Sequence, residues 1–256
     1  MLGATESRYI EKKSWLSELA HERELAFREN ERHLETEYGS EEEWLHCVTK
    51  EFPKFIPFLT RKCGVEFHGR ILEIGAGAAW FSAELSKLPK VVEVYATDFS
   101  PKLLKEKAPR VFKLLKAHAG KIIRMPADFH RLDFPDNHFD FVVASAVLHH
   151  AVNVRTALRE VRRVLKPGGK FVAIREPVWP LVRLRNRSRT QRRLVEAGVN
   201  EHFYTLEEYR EFFEQAGLHL TVHRVNLATG VKYLFDQMVN GLTHARYAFV
   251  ATKRGR

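Results

Sequence analysis

From Arg70 onward the chain alternates short apolar runs with amphipathic stretches, and in 256 residues no other feature constrains the fold as much. ILEI (71–74), VVEVYATD (91–98), KIIRMPAD (121–128), FDFVVASAVL (139–148) and KFVAI (170–174) read as five strands. AWFSAELSKL (79–88) reads as a helix, and Ser100 caps another with Pro101 in the favoured first position. NVRTALREVRRVL (153–165) sets Ala157, Leu158, Val161, Val164 and Leu165 along one helical face and stops at the turn Pro167-Gly168-Gly169. Apolar strands separated by amphipathic helices predict a doubly wound α/β domain, its parallel sheet covered on both faces. After a helix over TLEEYREFFEQAG (205–217), LHLTVHRV (218–225) and HARYAFVAT (244–252) show no obvious crossover, which predicts an antiparallel edge pair. Residues 1–63 differ. Glu6 to Lys50 is charged and helix-favouring, with Trp15, Leu19 and Leu25 at helical spacing, and Pro53 and Pro57 interrupt it. A helical extension over 1–63 ahead of a domain over 64–256 is the expectation.

Composition removes several classes. No window approaches the roughly twenty apolar residues of a membrane span, and the start MLGATESRYIEKK lacks the apolar run of a secretory signal. Cys47 and Cys63 are too few for a disulfide framework, so reduced thiols in a cytoplasm-like compartment are expected. The histidines show neither an HExxH pattern nor pairing with cysteine at ligand spacing, so no metal site is expected. The formal net charge of +10 favours anionic partners, and the positive excess concentrates in REPVWPLVRLRNRSRTQRR (175–193).

The first strand ends in Glu73-Ile74-Gly75-Ala76-Gly77, where glycines let the backbone turn sharply and approach a ligand. Asp98 ends the second strand, placed to accept hydrogen bonds from the two ribose hydroxyls of an adenosine ligand. A dinucleotide site needs a third glycine for close helix–strand packing, and that position holds the bulky Trp80. An adenosine ligand without a pyrophosphate fits, and S-adenosylmethionine is one.

In LEIGAGAA (72–79), ATDFS (96–100), ADFHRLDFPDNHFDFVVASAVLHH (127–150) and LREVRRVLKPGGKFVAIREP (158–177), the chain resembles the class I S-adenosylmethionine-dependent methyltransferases. The resemblance covers about residues 64–256 and implies a Rossmann-like, mostly parallel seven-stranded sheet with an antiparallel last strand. It implies S-adenosylmethionine as cofactor. The Gly75-Ala76-Gly77 turn would pass the methionine moiety, and Glu73 would support the loop or the ligand's ammonium. Asp98 would hold the ribose, Phe99 would cover adenine, and Asp128 would accept from the adenine amino group. Phe129 would line the same pocket, and Ser145 would lie near the methionine end. Where the family has a third small residue in the glycine motif, this chain has Ala79.

Methyl transfer from a sulfonium chiefly requires alignment, which can supply roughly 7–11 kcal/mol. A general base helps when the acceptor must lose a proton. His149 and His150 close the fourth strand and are the candidates, ahead of His130, Asp133 and His202. Acceptor contacts are expected from the N-terminal helices and a basic lid-like insert at 177–204, with Arg183, His202 and Tyr204 as substrate-binding candidates. The leading reading is O-methylation of a small-molecule acceptor, one able to carry an acidic group for the insert arginines, in metabolite, lipid or natural-product biosynthesis. An RNA methyltransferase using the arginine-rich insert is the second reading, although Ala144-Ser145-Ala146-Val147 stands where base N-methyltransferases commonly carry an N-P-P-Y-type motif. A non-catalytic cofactor-binding scaffold is the third.

Overall fold

The computed structural model describes residues 6–12, 21–30, 37–179, 202, 204–228 and 247–255. Ten strands are described, here β1 to β10: Arg8–Tyr9, Gly69–Ile74, Val91–Asp98, Ile122–Pro126, Phe139–Ser145, Leu165–Glu176, Val178–Trp179, Tyr204–Thr205, Leu218–Arg224 and Tyr247–Lys253. Eight of them form one sheet in the order β1-β4-β3-β2-β5-β6-β10-β9. Every pairing from β1 to β6 is parallel, and β10 runs antiparallel to both β6 and β9. The expected antiparallel pair is present, with β10 inside the sheet and β9 at its edge.

Period-two alternation explains why both faces are covered. Ile71, Phe141, Val143, Val172 and Ile174 are buried in one cluster, whereas Leu72, Val142, Ala144, Phe171 and Ala173 are buried in the other. The first face carries α4 (Trp80–Ser86) and α5 (Ala108–Leu114), and the second carries α6 (Val154–Val164) and α7 (Leu206–Gln215). Asn153 caps α6 by accepting from the Thr156 N–H, and Thr205 with Glu208 forms a capping box on α7. Ser100 performs the capping expected of it, its Oγ accepting from Leu103 N–H.

Two sequence expectations need correction. The sheet has eight strands rather than seven, because Arg8–Tyr9 adds to the edge of β4 instead of continuing a helix. The Tyr9 ring is flanked by the Lys105 and Arg124 cations at 4.9 and 5.7 Å, contacts that helix propensity does not register. The strand β6 also begins at Leu165, before the expected turn. Phe139 pairs with Leu165 and Phe141 with Lys170, so Lys166 to Gly169 bulge between two paired registers.

Helices do occur in the N-terminal segment: α1 (His21–Glu29), α2 (Glu41–His46) and α3 (Phe55–Lys62). Its residues share the core of the sheet. Trp44, Val48, Phe52, Phe55 and Leu59 are buried in the same cluster as Ile71 and Phe81. This packing brings the segment over the carboxyl ends of the strands, where ligands bind in open α/β sheets.

Candidate active site

The carboxyl ends of β2, β3, β5 and β6 open into a cleft of about 280 Å³, near the lower limit of the roughly 300–1,000 Å³ of ligand pockets. The turn after β2 forms one wall. Gly75 has φ +57°, and a Cβ there would lie 2.6 Å from both methyl groups of Val147, so only glycine fits. Gly77 has φ +53° with nothing within 4 Å of a built Cβ, so its bare side opens a cradle that a side chain would fill. Ala79, also left-handed at φ 57°, then leads into α4.

Asp98 is 5% exposed and lines this wall. Its Oδ2 accepts the Gly77 N–H at 2.7 Å and its Oδ1 the Ser100 N–H at 2.8 Å, which ties β3 to the glycine turn. Burial raises its pKa from the ordinary aspartate value, opposed by those two N–H donors, by the Arg28 charge and by the Phe99 N–H. The carboxylate also accepts from the Phe99 N–H, and its remaining acceptor capacity faces a cleft where a diol could sit. Phe99, Phe129 and Ser145 line the same cleft. A bare glycine cradle, an inward carboxylate and flanking aromatic rings suit an adenosine ligand without a pyrophosphate.

The opposite wall holds a hydrogen-bonded pair that the sequence did not reveal. Glu176, at the end of β6, is 4% exposed. Its Oε1 accepts the N–H groups of Val147 and Leu148 at 2.8 and 3.1 Å, and its Oε2 lies 2.9 Å from Nδ1 of His149. A carboxylate that accepts from this loop requires Nδ1–H of His149 to donate, which leaves Nε2 as the basic nitrogen. His149 lines the cleft. His150 lies beside it, ring centroids 3.9 Å apart, but its Nε2 lies 3.1 Å from Nη2 of Arg28. Since guanidinium only donates, that nitrogen of His150 is already an acceptor. The two histidines are therefore inequivalent.

Arg28 itself reaches the cleft from α1, paired with Glu37. Arg175, next to Glu176, also lines the cleft, with its guanidinium 3.8 Å from the Phe52 ring centroid and Nη1 donating to Ser145 Oγ at 3.3 Å. Its φ of +62° is a conformation costing about 1–3 kcal/mol for a side-chain-bearing residue.

Other candidates lie elsewhere. Glu73 is 1% exposed and does not line the cleft. Its Oε2 accepts from both the backbone N–H (2.8 Å) and the hydroxyl of Ser82 in the first turn of α4, so it braces the loop-to-helix junction. Burial pushes its pKa up to about 8, with the Ser82 bonds opposing. Asp128 is also outside the cleft lining; its Oδ1 accepts from the His130 N–H and lies 2.7 Å from His130 Nδ1. His130 in turn lies 3.3 Å from the Asn153 N–H, joining the loop after β4 to the cap of α6. His202 donates its N–H to the His149 carbonyl at 2.9 Å, and its exposed ring stacks near Tyr204. Tyr204 packs edge-on against Phe212 and Tyr209, with burial raising its pKa. Neither lines the cleft. The paired β7 and β8 close the base of the insert, while Arg183 lies outside the described residues. Among the described residues no group of three His, Cys, Asp or Glu converges as a metal site. Cys47 and Cys63 are free thiols, and burial raises the Cys63 pKa to about 11.

Comparison with known proteins adds the family. Residues 72–173 match the model described as "Methyltransferase domain". Over 118 residues the chain is 36% identical to the ubiquinone/menaquinone biosynthesis C-methyltransferase UbiE of Pseudomonas fluorescens (46% of this chain, 45% of that protein). It is 33% identical to that of Azotobacter vinelandii, over 46% of each chain. The chain thus spans just under half the length of the curated relatives it matches. Among solved structures, a Haemonchus contortus phosphoethanolamine N-methyltransferase 2 aligns with a TM-score of 0.65 at 17% identity, over 90% of this chain and 59% of that one. An S-adenosylmethionine-dependent methyltransferase from Mesorhizobium loti aligns at 0.60 with 21% identity, over 77% and 97%. Glycine turn, strand-ending acid, sheet order and matched segment together make residues 72–173 the core of a class I S-adenosylmethionine-dependent methyltransferase domain.

Proposed function

We propose that this chain transfers a methyl group from S-adenosylmethionine to a small acceptor whose nucleophilic atom must lose a proton, an acidic hydroxyl in the first instance. The cofactor, when bound, supplies a methyl group already activated on a sulfonium. The chain's own residues align and deprotonate. Gly75, Ala76 and Gly77 leave room for the methionine moiety, Asp98 accepts from the ribose, and Phe99 and Phe129 flank the adenine. The Asp128 carboxyl, engaged by His130, acts here through the position of Phe129.

The observation carrying the proposal is the His149–Glu176 pair at 2.9 Å. Holding the proton on Nδ1 aims a basic Nε2 into the cleft, and the carboxylate stabilises the imidazolium formed on proton capture. A second reading, C-methylation of an electron-rich ring, is favoured by the similarity to proteins named C-methyltransferases; the same base would remove the ring proton after transfer. Arg183 and the rest of the insert at 177–204 are proposed to cover the acceptor, with His202 and Tyr204 at its base.

The test is a label-transfer assay with methyl-labelled cofactor against separated metabolite, lipid and RNA fractions, run for the native protein and His149→Ala. Label entering hydroxylated small molecules, and lost in His149→Ala at unchanged cofactor affinity, supports the proposal. Label confined to RNA, or turnover indifferent to His149, overturns it.

A further inference from the structure

The cleft contains two guanidinium groups, and they are not in the same situation. Arg28 is paired with Glu37 and faces His150. Arg175 is partly buried, yet its only polar partner among the described residues is the neutral hydroxyl of Ser145, which takes one of its five donors. Its neighbour Glu176 is fully engaged with the Val147–His149 loop and does not pair with it. A half-buried guanidinium beside an aromatic ring, with no carboxylate partner among the described residues, keeps donors available to an anion in the cleft. The left-handed backbone at Arg175 directs it there at a conformational penalty.

Position in the sheet says which molecule would complete it. The order β3-β2-β5-β6 puts Asp98, the glycine turn, the His149 loop and Arg175 on successive strands. With neighbouring strands about 4.8 Å apart, Arg175 lies roughly 10 Å across the sheet from the glycine turn, on the side of the proposed base. The proposed cofactor cradle is on β2 and β3, whereas Arg175 stands two strands away and is bonded to Ser145 on the strand between.

We propose that Arg175 is the anchor for an oxyanion, a carboxylate or phosphate, carried by the methyl acceptor. The substrate class is then a small acidic compound, held through its anion at Arg175 while its nucleophilic atom meets His149. This rests on the methyl-transfer reading of the cleft. It assigns acceptor charge recognition to a fixed residue at the end of a central strand. Planar, forked guanidinium suits the task, because two parallel bonds to an oxyanion fix orientation as well as position.

The experiment separates this from the methyl-transfer reading and from a contact with the cofactor's own carboxylate. S-adenosylhomocysteine is titrated first into the native protein, Arg175→Met and Arg175→Lys; absence of binding to the native protein is a failure of the methyl-transfer reading. The saturated proteins are then titrated with benzoate and phenyl phosphate, with benzamide as the neutral control. The expected result is that the native protein prefers at least one anion over benzamide, and that Arg175→Met weakens it at least about tenfold. Arg175→Lys retains part of that affinity, and S-adenosylhomocysteine binds all three proteins alike. Three results overturn the proposal: no preference for either anion, anion affinity unchanged in Arg175→Met, or a loss confined to S-adenosylhomocysteine, which would assign the residue to the cofactor.

Discussion

The β2–β3 wall of the cleft is built from residues that locate themselves by short-range rules, whereas the β5–β6 wall is built from residues that mean nothing until the sheet brings them together. Gly75 and Gly77 sit where a strand turns into a helix, and Asp98 reaches back to the Gly77 N–H at 2.7 Å. Each is recognisable from its place at a strand end. Across the cleft, Glu176 is 27 residues from His149, and Arg175 meets Phe52 of the N-terminal segment, far away in sequence but lining the same cleft. Binding of a common cofactor can be carried by a local motif. Choice of acceptor, on the proposed reading, would be carried by long-range pairs.

The comparison predicts that damage to each wall should separate binding from turnover. The largest effect belongs to Asp98→Ala, which removes a charged acceptor worth roughly 1.5–3 kcal/mol per hydrogen bond. Calorimetry should show cofactor affinity falling by about a hundredfold or more, with the melting transition retained. Normal affinity in a folded variant would break the assignment of the β2–β3 wall.

On the other wall, Glu176→Gln should cost turnover and spare cofactor affinity. An amide presented to His149 places a donor against Nδ1 and moves the ring proton to Nε2, so a base effect of about 10²–10⁴-fold is lost. His149→Ala should match it, and His150→Ala should lower turnover by less than about tenfold, because Nε2 of His150 already faces Arg28. Equal losses at His149 and His150 would erase the distinction between them.

Two smaller effects concern stability. Gly75→Ala forces a Cβ to within 2.6 Å of Val147 at φ +57°, and should lower stability by about 1–3 kcal/mol in a denaturant melt. Glu73 titrates at about 8 in the fold against 4.5 for the free side chain. Between those values the folded state holds a proton that the unfolded state has lost, so the native protein loses stability as pH rises through that window, by up to a few kcal/mol. Thermal melts across it should show a flatter profile for Glu73→Gln; a slope equal to the native one would remove Glu73 as the cause.

The fold was legible because strand and helix periods are strong in residues 70–174. Alternation along Ile71 to Ile74 and Phe141 to Ala144 dictates two buried faces whatever the details. Arg8–Tyr9 was not legible as a strand, since two residues carry no period and their pairing with β4 is a tertiary fact. In the site, Asp98 is marked by ending β3, and Gly77 and His149 by the loops that follow β2 and β5. For Glu73 the resemblance leaves loop support or an ammonium contact open, and its bonds to Ser82 are partners that the sequence does not mark. Asp128 is given an adenine contact only by the family resemblance; no local pattern announces the bond of its Oδ1 to the histidine two residues on. Glu176, Arg28 and Arg175 escaped because no local pattern marks the partner of a residue on another strand.

On the proposed reading, Glu176 fixes the proton on Nδ1 of His149 and leaves Nε2 as the base. Nitrogen-15 NMR of histidine-labelled protein near neutral pH, with His149→Ala to assign the signal, measures this directly. In the neutral form of the ring the expected proton is on Nδ1, changing to the Nε2–H form in Glu176→Gln. A native His149 protonated at Nε2, or a tautomer indifferent to Glu176, would contradict it.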